Sequence, residues 1–140
     1  MVTDKKNDEL NHASVLVVDD DVEIGKIVEY VLRDMGVGRT RRFESGASAL
    51  EEFCIDPDAY QAIICDWMMP GMSGLDVLKG VRAISKNIPF IMLTSKVTQD
   101  SVVAAKRAGV TAYMRKPFTT ADLQKKLNIV FAQMTGLVRA

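Results

Sequence analysis

The sequence predicts an α/β fold, a doubly wound sheet of five parallel strands with five helices, from three observations. Short apolar runs alternate strictly with amphipathic stretches, the order that right-handed βαβ crossovers impose. The runs are continuous, as in Val15-Leu16-Val17-Val18, which suits strands buried on both faces. The length of 140 residues, 48% of them hydrophobic and 26% charged, allows one domain with its own core and excludes collagen-like, mucin-like and disordered chains.

Residues 1–13 are polar and without periodicity, and are expected to form a flexible N-terminal tail. The folded domain is expected over 14–134, with 135–140 as a C-terminal tail. After the first strand, Ile24, Ile27, Val28, Val31, Leu32 and Met35 recur at helical spacing, with acidic residues ahead of them and Gly36 behind. The stretch 38–43 carries Arg39, Arg41 and Arg42, so as a strand it belongs at a sheet edge. Ser45 suits the N-cap of a second helix whose apolar face is Ala49, Leu50, Phe53 and Cys54. A third strand over 62–65 leads into Asp66, and a third helix carries Leu75, Leu78 and Val81.

The fourth strand is expected over 88–93, with Pro89 near its start where a missing donor matters least. A short helix through Val102, Val103 and Ala105 follows, then a strand over 110–114. The last helix runs through Leu123, Leu127, Val130, Phe131 and Met134, with Thr119 and Asp122 at capping-box spacing ahead of it. Cys54 and Cys65 are too few for a disulfide framework and read as reduced core thiols. No apolar run approaches the roughly 18 residues needed to span a bilayer. The first ten residues are too charged for a signal peptide, so a cytoplasmic protein is expected.

In a doubly wound sheet, ligands bind beyond the carboxyl ends of the strands. Those ends carry Asp19 and Asp20, then Asp66, then Thr94, then Lys116 with Pro117. Clustered carboxylates repel one another unless a cation neutralises them, and hard oxygen ligands favour Mg²⁺. Lys116 adds a point charge and Thr94 a hydroxyl, a set that suits a phosphoryl group at Asp66. Any one strand-end Asp is more commonly a turn residue or helix cap, and helix capping or outer support of the site is the role expected of Asp21.

The segments Val17-Val18-Asp19-Asp20, Asp66-Trp67-Met68-Met69-Pro70-Gly71-Met72-Ser73-Gly74, Met92-Leu93-Thr94-Ser95 and Tyr113-Met114-Arg115-Lys116-Pro117-Phe118 resemble the receiver domain of two-component response regulators, most closely its stand-alone chemotaxis members. Each piece alone is common, but together they follow the family's order over about residues 14–134. The resemblance implies a flavodoxin-like sheet of order 2-1-3-4-5. It implies that Asp66 is the phosphoacceptor, that Asp19, Asp20, Asp66 and the backbone carbonyl of Met68 hold Mg²⁺, and that Thr94 and Lys116 contact the phosphoryl oxygens. It further implies a cis Lys116–Pro117 bond and a switch formed by Thr94 and Tyr113. The sequence departs from the enteric members at Met68, where they have Asn, and at Lys96, where they have Glu. Both departures bear on how water reaches the acyl phosphate.

The function expected is therefore a stoichiometric signalling switch rather than a turnover enzyme, with chemotaxis or flagellar motor control as one setting. It would accept a phosphoryl group from a histidine kinase, lose it by self-dephosphorylation or to a phosphatase, and bind a target protein. Residues 1–93 carry 10 Lys and Arg against 16 Asp and Glu, a net −6, and residues 94–140 carry 8 against 2, a net +6. The target is thus expected on a basic face within 94–140. After Met134 only six residues remain, so no recognition helix for nucleic acid is expected, and no membrane contact. Two other classes compete. Asp19-Asp20-Asp21 has the Asp-x-Asp spacing of Mg²⁺-dependent haloacid dehalogenase-type phosphatases, although Glu23 stands where that family has Thr or Val. The other is a binding module independent of phosphorylation.

Overall fold

The computed structural model describes residues 9–135. Five parallel strands, β1 (Ser14–Val18), β2 (Arg39–Phe43), β3 (Ala62–Asp66), β4 (Phe90–Thr94) and β5 (Ala112–Arg115), form one sheet of order β2-β1-β3-β4-β5. Five helices connect and follow them: α1 (Val22–Asp34), α2 (Gly46–Ile55), α3 (Gly74–Ile84), α4 (Gln99–Ala108) and α5 (Thr120–Thr135). A 3₁₀ turn, Pro57–Ala59, lies between α2 and β3, and residues 9–11 are also helical. The architecture, strand order and five long helices agree with the expectation, and the helical residues ahead of β1 are additional.

The continuous apolar strands are explained by two cores, one on each face of the sheet. Val15 and Val17 of β1, Ile64, Ile91 and Leu93 pack with α1 and α5. Leu16 and Val18, Ile63, Cys65, Phe90 and Met92 pack with α2 and α3. Successive residues of one strand thus serve opposite cores, as the two-residue repeat of a strand requires. β2 lies at the edge, where Arg41 pairs with Glu52 at 2.9 Å and Arg42 with Glu29 at 3.2 Å.

Several expected boundaries move. The N-terminal tail does not extend to residue 13: Leu10 is 1% exposed within the α1/α5 core. Its carbonyl accepts from Gly38 N at 3.0 Å, and that of Ala13 accepts from Arg39 N at 3.1 Å, tying the segment to the start of β2. A single leucine in a polar run has no periodicity to announce it. Residues 1–8 and 136–140 of the expected tails lie outside the described residues. β4 begins at Phe90 because Pro89 has no N–H for the ladder, though its carbonyl still accepts from Ile63 N. β5 begins at Ala112 because Val110 N is used at the end of α4, bonding Ala105 O. Cys65 is buried, but Cys54 is exposed on the outer side of α2 and is no core thiol.

Candidate functional site

The site forms where the strands end, and each side chain is positioned by the backbone beside it. Asp19 N donates to Phe43 O at 3.1 Å, Trp67 N to Leu93 O at 2.9 Å and Lys116 N to Thr94 O at 2.8 Å, so the ladders run on into the residues that carry the chemistry. Asp21 caps α1, accepting from Glu23 N at 3.0 Å and Ile24 N at 3.3 Å. Its own N–H donates to Asp19 Oδ1 at 2.9 Å. Asp21 thus does both things expected of it, capping the helix with its side chain and supporting Asp19 with its backbone. Ser73 caps α3 through a capping box with Asp76. Gly74 N donates to Trp67 O at 2.8 Å, closing the loop after Asp66. Only glycine fits there, since a Cβ at 74 would strike the Asp66 carbonyl.

Five of the expected residues converge. Asp19, Asp66 and Thr94 are buried, while Asp20 is exposed at the mouth. Carboxylate oxygens of Asp19, Asp20 and Asp66 lie within 4.8 Å of one another. Lys116 Nζ stands 3.0 Å from Asp19 Oδ2 and 3.2 Å from Asp66 Oδ1. Burial, and then the neighbouring Asp19 charge, push Asp66 up to about 6 despite Lys116. Burial likewise raises Asp19. Burial on its own would lower Lys116, but hydrogen bonding to Asp19 and the charges of Asp19 and Asp66 outweigh it and raise the ammonium.

Three carboxylates with one ammonium leave the cluster short of positive charge, which adds to the effect of burial on Asp66. Convergent hard oxygens, one at an open mouth, fit a divalent cation of the Mg²⁺ kind. Met68 follows in the loop with its side chain half exposed. The Lys116–Pro117 bond is cis.

A hydroxyl network adjoins the cluster. Thr94 Oγ1 donates to Lys96 O and accepts from Lys96 N, both at 3.1 Å. Tyr113 Oη donates to the same Lys96 carbonyl at 3.3 Å and lies 3.2 Å from Ser101 Oγ. The Tyr113 ring meets Trp67 edge-on at 6.2 Å. Sequence reasoning named Thr94 and Tyr113 but missed Ser101 and the Lys96 carbonyl. The signal available was Thr98-x-x-Ser101, a capping-box spacing with serine in the fourth place.

The family model for the response regulator receiver domain matches residues 15–128. The chain is 36% identical over 122 residues to chemotaxis protein CheY-3 of Vibrio cholerae, covering 86% of this chain and 92% of that protein. It is 35% identical over 124 residues to chemotaxis protein CheY of Pseudomonas aeruginosa, covering 87% and 98%. Among solved structures, CheY4 of Vibrio cholerae superposes with a TM-score of 0.77 at 33% identity, covering 84% of this chain and 98% of that one. A receiver domain from Clostridium thermocellum gives 0.78 at 28% identity, covering 90% and 99%. These matches set aside the phosphatase of the haloacid dehalogenase type, and the chain belongs to the response regulator receiver domain family, with chemotaxis CheY proteins among its relatives.

Proposed function

We propose that the chain is a phosphorylation-dependent switch in which a histidine kinase donates a phosphoryl group to Asp66. The single observation that carries this reading is the Asp66 carboxylate, buried, contacted by Lys116 and flanked by two further carboxylates at the strand ends. Near neutral pH a carboxyl group with a pKa of about 6 is mostly ionised and more basic than an ordinary aspartate, both of which favour attack on phosphorus. The P–N bond to the donor imidazole breaks as the acyl phosphate forms. Lys116 holds the incoming phosphoryl oxygens, and Thr94 turns its hydroxyl from Lys96 O toward them. Asp19, Asp20, Asp66 and the Met68 carbonyl would hold Mg²⁺, which when bound neutralises phosphoryl charge. The loss of the phosphoryl group is a slower, self-assisted hydrolysis, so the chain acts stoichiometrically.

The partner surface is the face of α4, β5 and α5. Among the described residues, Lys96, Lys106, Arg107, Arg115, Lys125 and Lys126 form no ion pair. Arg115, Lys125 and Lys126 also rim a groove of about 430 Å³ with Met114, Phe118 and Ile129 on its walls. An acidic, amphipathic protein segment suits that surface. No helix among the described residues is long and apolar enough to cross a membrane; a cytoplasmic setting is part of the reading proposed here.

The test is mass spectrometry after incubation with Mg²⁺ and a small acyl phosphate, with Trp67 emission followed in parallel. Wild type should gain one phosphoryl group and change its emission in two steps, with Mg²⁺ and then with the donor. Asp66→Asn should gain none. A wild-type protein that gains no mass under any donor overturns the reading.

A further inference from the structure

α2 ends in an apolar knob ringed by acid. Ile55, its last residue, is 75% exposed, more than any other large apolar side chain among the described residues. Glu51 stands one turn back on the same helix face. Asp56 and Asp58 follow Ile55 in the connection to β3, and all three carboxylates are exposed. None of them forms an ion pair among the described residues, whereas the neighbouring Glu52 is held by Arg41 at 2.9 Å and by Tyr60 at 2.7 Å. The last turn of α2 contains no basic residue. A helix C-terminus carries negative partial charge and is stabilised by cations, so the fold of the helix does not account for acid at this end.

The groove of about 430 Å³ between β5 and α5 is the converse feature. Met114, Phe118 and Ile129 wall it, and Arg115, Lys125 and Lys126 stand around it without ion pairs. Its one carboxylate, Asp122, is engaged at the α5 cap, accepting from Thr119 N at 3.4 Å. A branched aliphatic side chain among three carboxylates therefore matches aliphatic and aromatic walls among three cations. The two features cannot meet within one copy. Ala49 and Phe53 of α2 pack in one core while Met114 and Phe118 pack against the other, and β2, which leads into α2, lies at the opposite edge of the sheet from β5. The formal net charge is zero, so no overall repulsion opposes the approach of two copies.

We propose that the chain associates head to tail, the Ile55 knob of one copy seating in the Met114, Phe118 and Ile129 groove of a second copy, with Glu51, Asp56 and Asp58 facing Arg115, Lys125 and Lys126. The contact rests on the reading of that groove as a partner surface, for which it names an occupant, and is independent of the chemistry at Asp66. A groove filled by a second copy is closed to a target, so the chain withholds its own output as its concentration rises. One side chain and its charged ring bury less than about 1,200 Å², the range of weak and transient encounters. Each copy keeps a free knob at one end and a free groove at the other, so the association does not stop at two unless its rotation closes a ring.

The experiment is sedimentation velocity of the full chain without Mg²⁺ or phosphoryl donor. At low salt the average sedimentation coefficient of wild type should rise about 1.5-fold between roughly 10 µM and 1 mM, and at about 1 M salt, where the screening length is about 3 Å, it should keep the monomer value. Ile55→Ser removes the knob and Lys125→Glu/Lys126→Glu reverses the rim. None of these side chains belongs to either core, so both variants should fold, and each by itself should be monomeric. Mixed in equal amounts they should form a dimer and nothing larger, because one knob and one groove survive between them, a result that a symmetric contact does not give. Reversing both faces in one chain, Glu51→Lys/Asp58→Lys/Lys125→Glu/Lys126→Glu, should recover association. A wild type that stays monomeric at low salt, an Ile55→Ser protein that associates like wild type, or a mixture that stays monomeric overturns the contact. A synthetic helical peptide with one leucine face and glutamate elsewhere probes the wider reading of the groove. Peptide binding that is lost in Lys125→Glu/Lys126→Glu, beside a monomeric wild type, removes only the second copy as occupant. A wild type that self-associates as described but does not bind the peptide supports the contact and overturns the wider reading.

Discussion

Lys116 Nζ sits 3.2 Å from Asp66 Oδ1, and the same ammonium is 3.0 Å from Asp19 Oδ2. Two buried carboxylates thus share one cation, and removing it leaves both uncompensated. Lys116→Met should destabilise the metal-free protein by about 2 kcal/mol. Saturating Mg²⁺ should recover part of that loss, since a cation bound only by the folded state stabilises it by mass action. Urea denaturation with and without Mg²⁺ measures both effects, and a loss untouched by Mg²⁺ contradicts the shared-cation account.

The raised Asp66 makes a statement about pH. Its folded pKa of about 6 lies above the ordinary 3.8, so the folded state holds this proton more tightly than the unfolded state does. The associated stability is fully present below 3.8 and is lost as pH rises through about 6. Asp66→Asn should accordingly be more stable than metal-free wild type at pH 7, by roughly 3 kcal/mol, with the gap closing toward pH 4. Parallel stability curves for the two proteins across this range would show that burial places no burden on the carboxylate.

Met68 and Lys96 are both exposed beside the site, and the thioether of Met68 is only a weak acceptor for an attacking water. Alignment worth ~1.4 kcal/mol corresponds to a tenfold rate. The double variant Met68→Asn/Lys96→Glu should lose its phosphoryl group about tenfold faster than wild type, with the single variants reporting any coupling. Equal or slower loss means that these side chains do not govern water access.

Cations without partners on α4, β5 and α5 should act on encounter more than on residence. Raising salt should slow target association and leave dissociation nearly unchanged. Lys125→Glu/Lys126→Glu should reduce the low-salt association rate by about tenfold. Stopped-flow or surface-binding kinetics at two ionic strengths decide the matter, and an on-rate indifferent to salt argues against electrostatic steering.

Leu10 tests where the domain begins. Filling a core site beside α1 and α5 at 1% exposure, it should cost about 3 kcal/mol when changed to alanine. A neutral Leu10→Ala in denaturant titrations would restore the boundary at Ser14.

The sheet was legible because double burial writes itself as continuous apolar runs, and the cluster was legible because Asp19, Asp66, Thr94 and Lys116 stand where such runs stop. Leu10 was hidden because burial of one side chain leaves no period. Cys54 was misread because helical spacing places it at the margin of the α2 apolar stripe, where one residue's rotation decides between core and water. The hydroxyl network was hidden for a different reason: Lys96 takes part through its carbonyl, and a backbone group has no residue type to recognise. Ser101 on the first turn of α4 meets Tyr113 of β5 from twelve residues away, a juxtaposition no local pattern encodes.

The bond from Gly74 to Trp67 O fastens both ends of the loop that follows Asp66. Met68, exposed within it, reaches neither core, so a change of its side chain bears on the mouth of the site and not on the fastening that places the aspartate. On the proposed reading of Asp66, the duration of a signal and its reception are then written in different residues. The glycine at 74 is where that separation ends, because a side chain there would push directly on the Asp66 carbonyl.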